Sequence, residues 1–99
     1  MGKYLKNYSL KNKNVLITGA AGTLGKQFSL ALLEAGARVV ITDHNEKKLK
    51  KFNNEILKKN KKSTVNQFVL DVSSESSIQS VLKKLDKSKI KIDVLINNA

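Results

Sequence analysis

The chain has no cysteine among its 99 residues, which excludes disulfides and thiolate metal sites and fits a reducing, cytoplasmic compartment. It has a single histidine, His44, with no cysteine or paired acids beside it, so no metal site is expected. Acidic residues are few: eight stand against 19 basic ones, giving a formal net charge of +11. That excess invites a nucleic-acid reading, but arginine is nearly absent as well, with Arg38 the lone example. Base readout and bidentate phosphate contacts favour arginine, and single-strand binders add aromatic stacking platforms. Here the densest lysines, Lys47, Lys48, Lys50, Lys51, Lys58, Lys59, Lys61 and Lys62, flank one helix whose Phe52 turns inward. This is the composition of a solvated surface, and no nucleic-acid partner is expected. No apolar run approaches the ~20 residues of a membrane helix. The basic start Met1-Gly2-Lys3-Tyr4-Leu5-Lys6 has no apolar h-region behind it, and Lys6 stands where a myristoylation signal needs Ser or Thr. The expectation is one small soluble domain.

What the chain does contain is an apolar strand running into three evenly spaced glycines. Val15-Leu16-Ile17-Thr18-Gly19-Ala20-Ala21-Gly22-Thr23-Leu24-Gly25 is followed by a helical repeat and a second apolar strand ending on Asp43, 18 residues after Gly25. That is the layout of a dinucleotide-binding βαβ unit, with a ribose-binding carboxylate about 20 residues past the glycines. A pyrophosphate must touch backbone N–H groups at a helix start, where unpaired donors and the dipole favour negative charge. Gly19 would make the turn off the strand, and Gly22 would let the backbone approach the phosphates. Gly25 would let helix and sheet pack closely. A triphosphate P-loop fails at both ends, because Ala20 and Gln27 occupy the positions that need Gly and Ser or Thr.

Periodicity extends this unit along the chain. It predicts strands over 14–18, 38–42, 64–70 and 93–96, and helices over 23–35, 46–60 and from Ser73 or Ser74 onward. Leu24, Phe28, Ala31, Leu32 and Ala35 share one helix face; Leu49, Phe52 and Ile56 mark the second helix, and Ile78, Val81, Leu82 and Leu85 the third. Gly36 should close the first helix in the left-handed region, and Asn45 should cap the second. The strands are short unbroken apolar runs, as in a parallel sheet covered on both faces. With right-handed crossovers, βαβαβαβ gives a truncated Rossmann-type, doubly wound α/β sheet of order 3-2-1-4.

These residues resemble the short-chain dehydrogenase/reductases over nearly the whole chain. The stretch from Leu10 to Gly19 is similar to that family's entry into its first strand, and the glycine turn from Thr18 to Gly25 to its cofactor loop. Asp71-Val72 matches the acidic-apolar pair that holds the adenine ring, and Asn97-Asn98-Ala99 resembles the start of the Asn-Asn-Ala-Gly element. The resemblance implies an NAD(P)-dependent oxidoreductase moving hydride between a nicotinamide cofactor and an alcohol or carbonyl substrate. Its implied cofactor residues are Gly19, Gly22, Thr23, Leu24, Gly25, Asp43, Asp71, Val72, Asn98 and Ala99. With Asp43 ending the second strand and no arginine after it, NAD is expected over NADP.

Two features depart from the family. The Gly-x-x-Gly-x-x-Gly spacing is more typical of its extended branch, which includes nucleotide-sugar epimerases and dehydratases, whereas Asn97-Asn98-Ala99 is of the standard branch; both readings stay open. The family's Tyr-x-x-x-Lys pair is missing: the fourth positions after Tyr4 and Tyr8 are Tyr8 and Asn12. No catalytic residue is therefore assigned. A non-catalytic nucleotide- or nucleic-acid-binding module is the remaining alternative. Residues 1–99 are expected to be the N-terminal, cofactor-binding part of a single domain, inactive alone and homo-oligomeric at full length.

Overall fold

A computed structural model describes residues 10–59 and 65–98. Seven elements alternate along them: β1 (Asn14–Thr18), α1 (Thr23–Glu34), β2 (Arg38–Asp43), α2 (Glu46–Lys59), β3 (Val65–Val69), α3 (Glu75–Lys87) and β4 (Val94–Asn97). The strands form one parallel sheet in the order β3-β2-β1-β4, as the crossover argument predicts. β2 runs one residue further than expected, so that Asp43 pairs with Val69 instead of hanging free beyond the sheet. The expected ends at Asn60 and Thr64 lie outside the described residues.

Alternation along β1 and β2 divides the core in two. Val15, Ile17, Val39 and Ile41 point to one face, where α1 brings Leu32 and α2 brings Leu49, Phe52 and Ile56. Leu16 and Val40 point to the other, against Val81 and Leu85 of α3 and Leu70. Both faces of the two central strands are thus apolar and dry, the pattern of a sheet covered on two sides. The outer strands are not so covered: β3 and β4 are half-buried to exposed. Leu95 is 62% exposed, and it faces Ile78 and Leu82 across an open apolar groove of about 500 Å³. The single buried face expected for α3 therefore splits. All four border the groove, but Val81 and Leu85 are buried at its floor side while Ile78 and Leu82 stay exposed, and no described element lies over it. Leu24 also departs from its expected face: it is 54% exposed.

The helix ends explain themselves locally. Gly36 lies at φ 95°, its N–H donates to Leu33 O and the Ala37 N–H to Leu32 O, the crossed pair of bonds that closes α1. The same pair closes α3, from Lys89 N to Asp86 O and from Ile90 N to Leu85 O. There the left-handed position, φ 58°, is occupied by Lys89, whose Cβ is crowded by that conformation. Replacing it with glycine removes the crowding at some cost in chain entropy. Lys89→Gly is expected to stabilise the protein by about 0.5–1 kcal/mol in denaturant unfolding. Asn45 caps α2 through Oδ1, which accepts from Lys48 N at 3.0 Å, and Ser74 caps α3 by accepting from Ser77 N.

Candidate functional site

The carboxyl ends of β1, β2, β3 and β4 converge at one end of the sheet, where strand order reverses between β1 and its two flanks. In open parallel sheets this is the place where a crevice forms. The turn from Gly19 to Gly22 fills its centre. Gly19 adopts φ 63°, which turns the chain sharply off β1 at no steric cost. Gly25 has a different reason to lack a side chain: a Cβ there would run into the Gly19 carbonyl oxygen and come within 2.8 Å of Ala20 Cα. Helix and turn touch backbone to backbone.

Gly22 is the informative one. It caps α1 with φ −77° and ψ 169°, an extended conformation open to any residue, and a Cβ there would meet its nearest atom, Gly19 O, at an ordinary 3.5 Å. Among the described residues, nothing requires glycine at this position. No side chain caps α1, and its first turn holds no acid, so the helix's N-terminal donors meet no side-chain acceptor of their own. A bare, positively polarised helix start beside a position without a side chain is a cradle that an anionic group fits.

Asp43 sits against this turn. It is 7% exposed; Oδ2 accepts from Ala21 N at 3.0 Å and Oδ1 from Asn45 N at 2.9 Å. His44 Nδ1 stands 3.4 Å from Oδ1, on a side chain that is largely exposed. A carboxylate offers about four lone-pair positions. With two taken by backbone donors, capacity remains for two ribose hydroxyls. A sugar diol beside Asp43 with its phosphates on the glycine turn is chemically consistent with the residues present.

The remaining candidate residues distribute around the same end. Thr23 and Leu24 are exposed on the first turn of α1. Asp71 and Val72 are exposed after β3, and Val72 lines the groove. The Ser73 hydroxyl donates to Asp71 Oδ1 at 2.6 Å and the Ser73 N–H at 3.0 Å. Those bonds, with a smaller contribution from the charge of His44, hold the Asp71 carboxyl below its ordinary value of 3.8. The stabilisation these bonds give is therefore present at neutral pH and is lost as pH falls through that lowered value. Ser73→Ala is expected to return the Asp71 titration toward the ordinary carboxylate range, read by carboxyl-carbon NMR.

Asn98 donates from Nδ2 to Gly19 O at 3.3 Å and from its backbone N to Thr18 Oγ1 at 3.0 Å, while Thr18 Oγ1 donates to Asn97 Oδ1. The asparagines thus brace β1 to β4 at the turn. Ala99 lies outside the described residues, as do Tyr4 and Tyr8. No cluster of three potential metal-ligating side chains exists among the described residues, and none of their helices is long and apolar enough to cross a membrane.

Sequence reasoning missed three polar side chains that hold this end together. The buried Thr42 hydroxyl donates to Ile17 O at 2.7 Å, linking β2 to β1 beneath the turn. Ser29, fully buried, donates to Gly25 O at 2.8 Å inside α1. Thr18 bridges to Asn97 and Asn98. A lone hydroxyl at an otherwise apolar strand or helix position was the available signal.

Comparison with known proteins agrees with this geometry. The family model described as short chain dehydrogenase matches residues 13–99. A short chain dehydrogenase/reductase of Gibberella zeae is 37% identical over 91 residues, which are 92% of this chain and 33% of that protein. The 3-oxoacyl-[acyl-carrier-protein] reductase of Buchnera aphidicola is 36% identical over 90 residues, or 91% of this chain and 35% of the relative. Among solved structures, an NAD+-bound xylitol dehydrogenase superposes with a TM-score of 0.81 at 31% identity, over 91% of this chain and 34% of that one. The chain spans about a third of the length of the curated relatives it matches.

Proposed function

The chain belongs to the short-chain dehydrogenase family, and from that premise we propose that it is the N-terminal, dinucleotide-binding part of a cytoplasmic NAD-dependent oxidoreductase. The reaction would be hydride transfer between the nicotinamide and an alcohol or carbonyl substrate. The observation that carries the cofactor reading is Gly22: a position that nothing among the described residues obliges to be glycine, at an uncapped helix start, next to the residue whose amide a buried acid holds. Gly19, Gly22, Thr23, Leu24 and Gly25 would take the pyrophosphate, Asp43 the adenosine ribose. Asp71, Val72, Asn98 and Ala99 would border the adenine and its ribose. When bound, the cofactor supplies the hydride acceptor; the residues here bind and orient its adenosine half. Asp43 supports NAD over NADP, because its carboxylate would face a 2′-phosphate.

The open groove beside Leu95 and the exposed Val94 support the view that residues 1–99 are part of one larger domain, homo-oligomeric at full length. Calorimetric titration with NAD tests the reading. Binding that is abolished by Gly22→Val in a protein that still unfolds cooperatively is the expected result. Absence of binding to a full-length protein carrying this segment would sink it.

A further inference from the structure

A negative charge beside a pyrophosphate cradle needs a reason. Asp43 lies in the same buried corner as the glycine turn, and by charge alone it disfavours any anion the turn receives. The ribose accounts for its lone pairs but not for the bond it already makes without one. We infer that Asp43 is also a positioning residue: its carboxylate clamps the glycine-rich turn into its phosphate-accepting shape before any ligand arrives. The consequence for the ligand rests on the cofactor reading above; the clamp itself does not.

The hydrogen bonds carry the argument. The turn from Gly19 to Gly22 closes on itself through a single backbone bond, Gly22 N to Gly19 O at 3.2 Å. A segment so rich in small residues loses much conformational freedom on ordering, so something outside it must hold it. β2 does so at two successive residues. Thr42 O accepts from Ala20 N at 2.9 Å, and Asp43 Oδ2 accepts from Ala21 N at 3.0 Å. The second bond is charge-assisted and buried, which makes it the stronger kind.

The carboxylate is itself aimed. Its other oxygen accepts from Asn45 N at 2.9 Å, and the Asp43 carbonyl accepts from Leu70 N, so side chain and backbone are both pinned. On the opposite flank Asn98 Nδ2 holds Gly19 O. The turn is gripped from both neighbouring strands, and Asp43 is the charged half of that grip.

Amide hydrogen exchange on the protein without nucleotide tests the clamp directly. In Asp43→Ala, the Ala21 and Asn45 amides should exchange at least tenfold faster, while Val15 and Ile41 amides in the central strands keep their protection. Asp43→Asn retains the shape but only one acceptor oxygen, so it should release one of the two amides and leave the other protected. An Ala21 amide unaffected by either substitution, or one that accelerates only in step with Val15 and Ile41, overturns the inference. Inorganic pyrophosphate supplies a second readout with opposed signs. Removing a charge alone should tighten its binding to Asp43→Ala; loss of a clamp should weaken it several-fold, and tighter binding rejects the clamp. If pyrophosphate binds neither protein, the cofactor reading fails, and the exchange result still decides the clamp.

Discussion

Gly25→Ala is expected to cost about 3 kcal/mol or more of stability, whereas Gly22→Ala should change stability by less than about 1 kcal/mol. The two positions are three apart in the sequence, and the same methyl group is added. At Gly25 the added Cβ meets backbone atoms of Gly19 and Ala20, which cannot swing aside as a flexible side chain would. Relief requires α1 to move off the sheet, opening the contacts of Leu32 and Phe28 with the core. At Gly22 the added Cβ finds open space and an ordinary contact. Alanine caps a helix less well than glycine but restricts the unfolded chain more, and the two effects oppose each other. The cost at Gly22 falls instead on a ligand brought close to the backbone. Losing one charge-assisted bond to phosphate there corresponds to roughly tenfold or more in nucleotide affinity. Denaturant unfolding and calorimetric titration of both variants separate the roles. A Gly22→Ala protein that binds nucleotide normally would show that the cradle lies elsewhere.

Much of this architecture was legible because local signals and long-range topology agree. Strand runs such as Val39-Val40-Ile41 are apolar on both faces, so they must lie in the middle of a covered sheet. Gly36 and Asn45 end and begin helices through bonds that involve only their own neighbours, which sequence can anticipate. The order 3-2-1-4 follows from crossover handedness once the elements are known. Legibility failed where a side chain's surroundings depend on a distant segment. Ile78 and Leu82 carry the same helical period as Val81 and Leu85, yet one pair is buried and the other exposed. Periodicity defines a stripe on a helix and says nothing about how wide its partner is. The Asp43–Ala21 bond spans 22 residues and joins a side chain to a backbone group, which no pattern of residue types encodes. Asp71 shows the converse. Its turn with Ser73 involves only near neighbours in the sequence, and the structure shows that turn formed.

The second large effect is cofactor choice, where a full-length protein carrying this segment is expected to bind NAD at least a hundredfold more tightly than NADP. Asp43 is almost wholly buried at the end of β2, so its charge is poorly screened by solvent. A 2′-phosphate placed about 5 Å from it, at an effective dielectric near 20, meets a repulsion of roughly 3 kcal/mol per unit charge. The same phosphate also removes the 2′-hydroxyl that could donate to the carboxylate, leaving an acceptor facing an acceptor. The opposing influence is cationic. Lys47 and Lys48 follow Glu46 in the first turn of α2, and His44 Nδ1 lies 3.4 Å from Oδ1. The lysines are exposed, however, and solvated charges on flexible stems recover little of a buried repulsion. The carboxylate therefore wins. Asp43→Ala should collapse the preference to within about tenfold by weakening NAD and relieving NADP together. Parallel titrations of both cofactors against both proteins measure it. Equal affinities in the unmodified protein would refute the role given to Asp43 at the ribose.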